Sequence, residues 1–494
     1  MERKSGILMP ISSLPSDYGI GTFGKEARKF VDFLKKAKQT YWQILPLSPT
    51  SYGDSPYQSF STFAGNPYFI DFDILKDWGL LKKSDYSKID WGNDNTKVDY
   101  GKIYNKRFIV LKKAVGAFLN QNNFDEYNDF LNSNISWIND YALFMCVKGI
   151  NHNKGLIDWD EKYRLKDKKT IDNVIDKYED EIEFWKIIQF FFYKQWFELK
   201  EYANSKGVEI IGDCPIYVAS DSADLWNNPE IFEVDENLVP INVAGVPPDD
   251  FTADGQLWGN PLYRWDVLKD TGYKWWAERV SHLCYVYDYL RIDHFRGLSQ
   301  YFSVKYGEKT ARNGKWLKGP GNDIVDIFKQ YTDNKIIAED LGYLDDEVKE
   351  LLAYSGYPGM AVLEFGFGLN DDNTNFNTPY NLKKNQVVYI STQDSDTLVG
   401  WLKAIPKKQL NYVKRFINYN KDEELHWQMI GLLLSSVSDT AIILAQDLLA
   451  LDNDSRTNRP GILGGNWIWR AKKGDFNLKI ANKLKKITQL YGRE

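Results

Sequence analysis

The sequence predicts an α/β protein whose core is a (β/α)8 TIM barrel with large helical and loop insertions between its strands. Short apolar segments of strand length recur along the chain, and several of them are preceded or followed by the pattern of an amphipathic helix. Strands that alternate with helices indicate a parallel sheet, and eight such strands indicate a closed barrel. The predicted strands are residues 7–11, 41–47, 208–211, 286–292, 336–338, 360–365, 387–390 and 441–445.

The first predicted helix covers residues 25–38, after the first strand. Its apolar side chains share one face: Phe30, Phe33, Leu34 and Ala37. An apolar face of this kind packs against a sheet, so the segment fits the order of a β/α unit.

The interval 76–207 is longer than one β/α unit needs. It is rich in Lys, Asp, Asn and Tyr and contains several amphipathic patterns, the last of which covers 182–204 and is followed by Gly207. We therefore predict that residues 76–207 form a mostly helical insertion subdomain.

A second long interval, residues 217–268, contains many Gly, Pro, Asn and Asp residues and little periodicity. Loops inserted beyond the C-terminal ends of barrel strands build active sites. We therefore predict a loop-rich insertion over the active site. Residues 1–75 would then be the first part of the catalytic barrel, and residues 208–494 the rest of it.

The fourth predicted strand, in the stretch 285–297, has charged residues at its C-terminal end. Alternate residues of a strand share a face, so Arg291 and Asp293 are expected side by side. One face would carry Tyr287, Tyr289, Arg291 and Asp293, and the opposite face Leu290 and Ile292. From these residues alone, the pair is either a structural ion pair or part of an active site.

Three carboxylates follow predicted strands at equivalent positions. Asp293 ends the fourth strand, Glu339 ends the fifth, and Asp394 follows the seventh. Closure of the barrel would bring them to one rim, where a carboxylate pair can flank a glycosidic bond; a retaining enzyme needs the pair about 5 to 5.5 Å apart. A single Asp at such a position, like Asp340 or Asp345, is better explained as a turn or helix cap.

Composition excludes several classes of function. The net charge of -6 gives no excess of basic residues with which to bind nucleic acid. The first residues lack a signal-peptide core, and no apolar run approaches the roughly 20 residues that cross a bilayer. Cys146, Cys214 and Cys284 form no disulfide framework, and neither they nor the four histidines have metal-ligand spacing. We expect a cytoplasmic protein without a metal or cofactor.

Motifs along nearly the whole chain resemble the 4-α-glucanotransferases (amylomaltases or disproportionating enzymes) of glycoside hydrolase family 77, in the α-amylase clan. A single short motif is weak, but eight in this order are specific. They read GILMPISSLPSDYGIGTFG, GDSPYQSFSTFAGNPYFID, GDCPIYVASDSADLW, GVPPDDFTADGQLWGNPLY, LRIDHFRG, AEDLG, YPGMAVLEF and NRPGILGGNWIWR.

The resemblance implies a role for each carboxylate. Asp293 would be the nucleophile that forms a covalent glucosyl intermediate, Glu339 the general acid and then base, and Asp394 the group that stabilises the distorted sugar. Arg291 would orient Asp293 and keep it ionised, since a nearby cation lowers a carboxylate pKa.

The resemblance also implies substrate contacts. Tyr57 would stack on the sugar beside the cleaved bond, and Asp213 would hydrogen-bond it. A lid over the acceptor side would carry Asp249, Phe251, Gln256 and Trp258, although ordinary loop packing explains Phe251 and Trp258 as well. Tyr52, further along the groove, and Asn466 are less secure members of the site, and His294 is interpreted as structural because alternation turns it away from Asp293.

The chain departs from the family pattern beside the third carboxylate. The family has Thr-His-Asp-Asn after a glycine, whereas residues 391–395 read Ser-Thr-Gln-Asp-Ser, so Gln393 replaces the histidine. In the family this histidine donates to the reacting sugar, and a donor of that kind contributes about 2.7 to 4 kcal/mol. Gln393 keeps an amide donor, which predicts an active enzyme that is slower or altered in donor choice.

The leading function is transfer of an α-1,4-glucan segment to the 4-hydroxyl of another glucan or glucose. The donors would be maltooligosaccharides or glucans derived from starch or glycogen. Two alternatives stay open at this point. The protein could be an α-glucan hydrolase, or a glucan-binding protein whose catalysis Gln393 has impaired.

Overall fold

Eight parallel strands form the central sheet of a computed structural model that describes residues 3–121, 124–248, 252–333, 335–342, 344–369, 374–462 and 464–494. The strands are β1 Lys4–Leu8, β2 Tyr41–Gln43, β3 Glu209–Cys214, β4 Tyr289–Ile292, β5 Ile336–Ala338, β6 Gly359–Val362, β7 Gln386–Tyr389 and β8 Thr440–Leu444. Their order in the sheet is β6-β7-β8-β1-β2-β3-β4-β5. The backbone N–H of Ala338 donates to Pro358 O at 2.9 Å, which joins the two edges. The predicted (β/α)8 barrel is confirmed.

The barrel separates two apolar cores. The outer core lies between the strands and the helices and includes Ile7, Leu290 and Ile292. The side chains inside the barrel form a second core of Leu8, Tyr41, Ile211, Ile337, Met360, Val362, Val387, Tyr389, Ile442 and Leu444. This division follows from the alternation of side chains along each strand.

The strand expected over 286–292 starts later than predicted. The preceding helix, Lys274–Val286, continues to Val286, and the ladder of β4 begins only at Tyr289. Tyr287 therefore lies in the outer core, with its ring centroid 6.3 Å from that of Trp196. Its predicted place on the face of Arg291 is wrong, because alternation holds only within the ladder.

Helices occupy most of the interval 76–207. The final amphipathic pattern corresponds to Glu179–Ser205, and the chain leaves this helix through Gly207, whose φ is +77°. The others are Tyr100–Leu119, Asp125–Ser133, Ile138–Ile150, Glu161–Arg164 and Lys168–Lys177.

The interval 217–268 is more ordered than its composition indicates. It supplies strands Asn242–Val246 and Gln256–Pro261 to an antiparallel sheet. The other two strands, Gln300–Lys305 and Lys315–Lys318, come from an insertion after β4 that the sequence did not reveal. Pairing between distant segments leaves no local pattern to read. Short helices in the interval are Ala223–Asn227 and Trp265–Asp270.

The remaining helices surround the barrel. They are Lys25–Lys36, Phe72–Asp77, Asn322–Tyr331, Asp346–Ser355, Leu398–Ala404, Lys407–Phe416, Leu425–Ser435, Ala445–Leu448 and Leu478–Leu490. Among the described residues, no helix combines the length and apolarity that a membrane crossing needs.

A buried carboxyl group beneath the C-terminal rim predicts a pH effect on stability. Asp447 accepts hydrogen bonds from the Ser391 hydroxyl and from the Leu398 N–H, and burial raises its pKa to about 7. An unfolded Asp has a pKa near 3.9, so the parent loses up to roughly 4 kcal/mol of unfolding free energy between these pH values. Asp447→Asn, which cannot ionise, should gain stability relative to the parent as the pH rises from 4 to 7.

Urea unfolding of both proteins across this pH range tests the effect. The difference in unfolding free energy should move steadily in favour of Asp447→Asn. A constant difference would mean that Asp447 does not bind a proton preferentially in the folded state.

Candidate active site

The C-terminal ends of β4 and β5 place two carboxylates side by side. Ile292 pairs with Ala338 in the parallel register, so Asp293 and Glu339 are the next residues on neighbouring strands. Such strands lie about 4.8 Å apart. Asp394 follows β7 on the same rim of the barrel. The structure thus brings the three predicted carboxylates to one end of the barrel.

Arg291 is the cation beneath this rim. Its side chain points into the barrel interior and is almost fully buried. Nη1 donates to both carboxylate oxygens of Asp213, at 2.8 and 2.7 Å, and lies 2.9 Å from Oδ1 of Asp293. One guanidinium is therefore shared by the carboxylates of Asp213 and Asp293.

Glu339 is held by the backbone. Its Oε2 accepts the N–H of His294 at 2.7 Å, and its Oε1 accepts the N–H of Leu341 at 2.9 Å. These donors belong to two loops, one after β4 and one after β5. The carboxyl group therefore has a fixed orientation beside Asp293.

Asp394 is held by two side-chain amides. Asn458 Nδ2 donates to its Oδ1 at 2.6 Å, and Gln393 Nε2 donates to its Oδ2 at 2.8 Å. Arg456 Nη2 donates to the backbone oxygen of Asp394 at 2.7 Å. The loop after β7 is thus fixed by the loop that contains residues 456–458.

A chain of hydrogen bonds joins the two sides of the site. Tyr57 donates its hydroxyl proton to Asp213 Oδ2 at 2.7 Å, and the Gln393 amide lies 3.1 Å from the same hydroxyl. Gln393 thus bridges Tyr57 and Asp394 through one nitrogen. The ring of Tyr57 lies 5.7 Å from that of Trp467, centroid to centroid.

Burial dominates the electrostatics of the site. It raises the pKa of Asp293 well above the usual range, although the Arg291 guanidinium acts in the opposite direction. Arg291 lowers the pKa of Asp293 as predicted, but burial outweighs this effect and the net shift is upward. Burial also raises the pKa of Glu339. One cation cannot neutralise Asp213, Asp293 and Glu339 together, so the Asp293–Glu339 pair retains a proton more readily than free carboxylates would.

Two predicted lid residues lie on the second sheet. Gln256 and Trp258 both belong to the strand Gln256–Pro261, and Trp258 Nε1 donates to Gln256 Oε1 at 3.2 Å. Asp249 and Phe251 lie outside the described residues, as does the side chain of Tyr52.

The amide of Asn466 bonds within its own loop. Its Oδ1 accepts the Arg459 N–H at 3.0 Å, and its Nδ2 donates to Ile462 O at 2.8 Å. A substrate role for Asn466 stays a prediction, and these bonds favour a role in shaping the loop.

Sequence reasoning missed two residues that the structure places in the site. Asn458 contacts Asp394 directly and opens the last of the eight motifs, which was the available signal. His294 was expected to face away from Asp293, but β4 ends at Ile292 and His294 adopts a left-handed backbone with φ of +53°. Its ring lies against Trp258, with the centroids 4.8 Å apart.

The residues that the structure describes contain no group of three or more His, Cys, Asp or Glu side chains arranged to hold a metal ion.

Comparison with known proteins identifies close relatives. A family model described as 4-alpha-glucanotransferase, of glycoside hydrolase family 77, matches residues 9–476. A 4-alpha-glucanotransferase of Clostridium butyricum is 46% identical over 488 residues, which cover 98% of this chain and 100% of the relative. One from Thermus thermophilus is 38% identical over 498 residues and covers 99% of each chain.

Solved structures agree with the sequence relatives. The amylomaltase of Streptococcus agalactiae, solved in complex with acarbose, superposes with a TM-score of 0.97 at 44% identity and covers 100% of both chains. The amylomaltase of Corynebacterium glutamicum is 15% identical, with a TM-score of 0.79 over 98% of this chain and 75% of that one, which shows a shared fold.

Proposed function

We propose that this chain, which belongs to the 4-alpha-glucanotransferase family, transfers α-1,4-glucan segments by a retaining double displacement through a covalent bond to Asp293. The observation that carries this proposal is the register of β4 and β5, which sets Asp293 beside Glu339 above one buried arginine. Neighbouring strand ends can hold two carboxyl groups at about the 5 to 5.5 Å that a nucleophile and an acid/base need.

In the first step, the Asp293 carboxylate attacks the anomeric carbon of the donor. Glu339 gives its proton to the glycosidic oxygen, the bond from that oxygen to the anomeric carbon breaks, and the reducing-end piece departs. Burial raises the pKa of both Asp293 and Glu339, so the pair retains a proton near neutral pH, and this role places that proton on Glu339.

In the second step, the Glu339 carboxylate takes the proton of an acceptor 4-hydroxyl. The acceptor oxygen attacks the anomeric carbon, and Asp293 leaves as a carboxylate, which restores the starting site. Two inversions retain the α configuration. Arg291 stabilises the carboxylate form of Asp293 in both steps through the contact of 2.9 Å.

The other polar residues would hold the reacting sugar. Asp394 would accept its hydroxyls, Asp213 would hydrogen-bond it, and Tyr57 would stack on it. Tight fixation of these groups before substrate binds supports the assignment, since preorganised groups need not reorient in the transition state. Trp258 and Gln256, with Asp249 and Phe251, would cover the acceptor side.

The substrates are proposed to be maltooligosaccharides or glucans derived from starch or glycogen, with glucose or another glucan as the acceptor. The acarbose in the Streptococcus agalactiae structure supports this class. A cytoplasmic location is part of the same proposal.

Incubation with maltotriose tests the proposed reaction. Transfer yields longer oligosaccharides and free glucose, whereas an α-glucan hydrolase yields only shorter products and new reducing ends. Maltooligosaccharide binding without turnover would instead identify a glucan-binding protein. We expect maltopentaose and glucose to appear together in equal amounts at first, because transfer of a maltosyl unit from one maltotriose to another releases one glucose.

Gln393→His tests the departure from the family pattern. Gln393 uses its amide nitrogen to bridge Tyr57 and Asp394, so an imidazole donor directed at the sugar is missing. We expect the substitution to raise kcat/KM for maltotriose about tenfold, which is less than the roughly 10²- to 10³-fold of a whole transition-state donor because Gln393 keeps an amide donor. No gain over a normally active parent would show that the glutamine already supplies the donor.

A further inference from the structure

His294 occupies a strained position next to the proposed nucleophile. It follows Asp293 and precedes the 3-10 helix Phe295–Leu298, and its φ and ψ are +53° and +48°. Non-glycine residues rarely adopt this left-handed conformation, except Asn, Asp and His. The conformation turns the side chain out of the alternation of β4, which would have directed it into the outer core.

The left-handed turn lets His294 contact both sides of the acceptor region. Its backbone N–H donates to Glu339 Oε2 at 2.7 Å. Its ring packs edge to face with Trp258, at 4.8 Å between centroids and an interplanar angle of 87°. One residue therefore touches the proposed acid/base and an aromatic ring on the second sheet.

The ring acts as an aromatic support and not as a base. Its Nε2 is buried without a hydrogen-bond partner among the residues that the structure describes. Burial and the nearby Arg296 lower the pKa of His294 to about 3, so the imidazole is neutral at physiological pH. A Cβ at Gly297 would lie 3.0 Å from Cδ2 of His294, which shows how closely the chain packs on the other edge of the ring.

Trp258 is also anchored through its backbone. Gln58 Nε2 donates to the Trp258 carbonyl oxygen at 3.3 Å and to Asn260 Oδ1 at 2.9 Å. The strand that carries Trp258 thus contacts two barrel loops, the one after β2 through Gln58 and the one after β4 through His294. A shift of the His294 ring would change the distance between Trp258 and Glu339.

We propose that His294 is a positioning residue that sets Trp258 against Glu339, so that the covalent intermediate is released to a sugar acceptor in preference to water. This inference rests on the proposed function. A sugar that stacks on Trp258 presents its hydroxyl to Glu339 at a fixed distance, whereas water gains nothing from the indole. A reactant that is bound in the correct orientation reacts faster than one that is dilute or unoriented, so an oriented sugar acceptor is favoured over water.

The ratio of transfer to hydrolysis with maltotriose tests the proposal. Transfer leaves the number of reducing ends unchanged, whereas hydrolysis adds one for each bond cleaved. In one reaction, the new reducing ends therefore give the hydrolysis rate and the longer oligosaccharides give the transfer rate. The ratio does not depend on how fast the intermediate forms or on the folded fraction of the sample. A residue that only stabilises the fold lowers both rates and leaves the ratio unchanged.

Two substitutions separate the ring from the backbone. His294→Asn keeps a residue that tolerates the left-handed conformation but removes the ring, and we expect the ratio to fall about tenfold. His294→Phe keeps an aromatic ring and removes both nitrogens, and the ratio should stay within about threefold of the parent. No fall with Asn would overturn the proposal, because Asn keeps the left-handed backbone and lacks only the ring.

A double-mutant cycle with Trp258→Ala shows whether His294 acts through the indole. The Trp258→Ala ratio should also fall, and adding His294→Asn should lower it no further. Independent effects that multiply would refute the coupling. A parent that forms no longer products from maltotriose would contradict the proposed function itself, whereas a parent that transfers normally beside an unchanged His294→Asn ratio would contradict only this inference.

Discussion

Asp293→Asn is expected to lower the rate of glucan transfer by roughly 10⁴-fold or more. The amide oxygen is too weak a nucleophile to displace a sugar, so the covalent intermediate cannot form. Asparagine has the shape of aspartate, and Arg291 keeps its two bonds to Asp213, so the fold should persist. Glucose release from maltotriose, followed over time, measures the loss.

Asp340→Asn is the matched control for this loss. Asp340 is also buried, follows Glu339 at the same barrel rim and accepts the Met360 N–H at 2.6 Å. Burial raises its pKa to about 7, so a neutral amide resembles its protonated form. A loss with Asp340→Asn equal to that with Asp293→Asn would show that any carboxyl change at this rim disables the enzyme.

Glu339→Gln is expected to slow transfer from maltotriose by about 10²- to 10⁴-fold, the usual contribution of general acid–base catalysis. Glutamine can neither protonate the leaving oxygen nor accept the acceptor proton. The two steps should respond differently to the donor. Fluoride leaves from a glycosyl fluoride without taking a proton. With this donor, Glu339→Gln should therefore form the covalent intermediate at a restored rate, while transfer of the glycosyl group to the acceptor stays slow.

Rapid mixing with a maltooligosyl fluoride separates these steps for Glu339→Gln. We expect a burst of fluoride equal to the enzyme concentration, followed by slow turnover. Complete transfer at the parent rate with this donor would show that Glu339 is not the base of the second step.

The barrel and its carboxylates could be predicted because their signals are local. Each strand is a short apolar run, and Asp293 and Glu339 follow their runs directly. In a parallel barrel all strand ends meet at one rim, so a local signal is enough to bring distant residues together. The strand pattern also placed Arg291 beside Asp293, whereas Asp213, which pairs with Arg291 in the register of β3 and β4, was named only through the resemblance.

Other features depend on contacts that no local pattern records. Tyr287 and His294 flank β4 and do not follow its alternation of side chains. Tyr287 directly follows a helix and precedes the ladder, and His294 has a left-handed backbone. The second sheet joins segments separated by a barrel strand. The pKa of Asp293 is set by burial and by the charges of Arg291, Asp213, Glu339 and Asp394, which only the assembled site brings together.

The covalent bond to Asp293 is the central claim, and one measurement tests it directly. Glu339→Gln is incubated with a maltooligosyl fluoride, quenched in acid and digested, and the peptides are analysed by mass spectrometry. We predict that the peptide containing Asp293 gains the mass of the glycosyl group and that Asp293→Asn in the same background abolishes the gain. Fluoride release at the burst amplitude with an unmodified Asp293 peptide, or with the sugar on another residue, would contradict the mechanism.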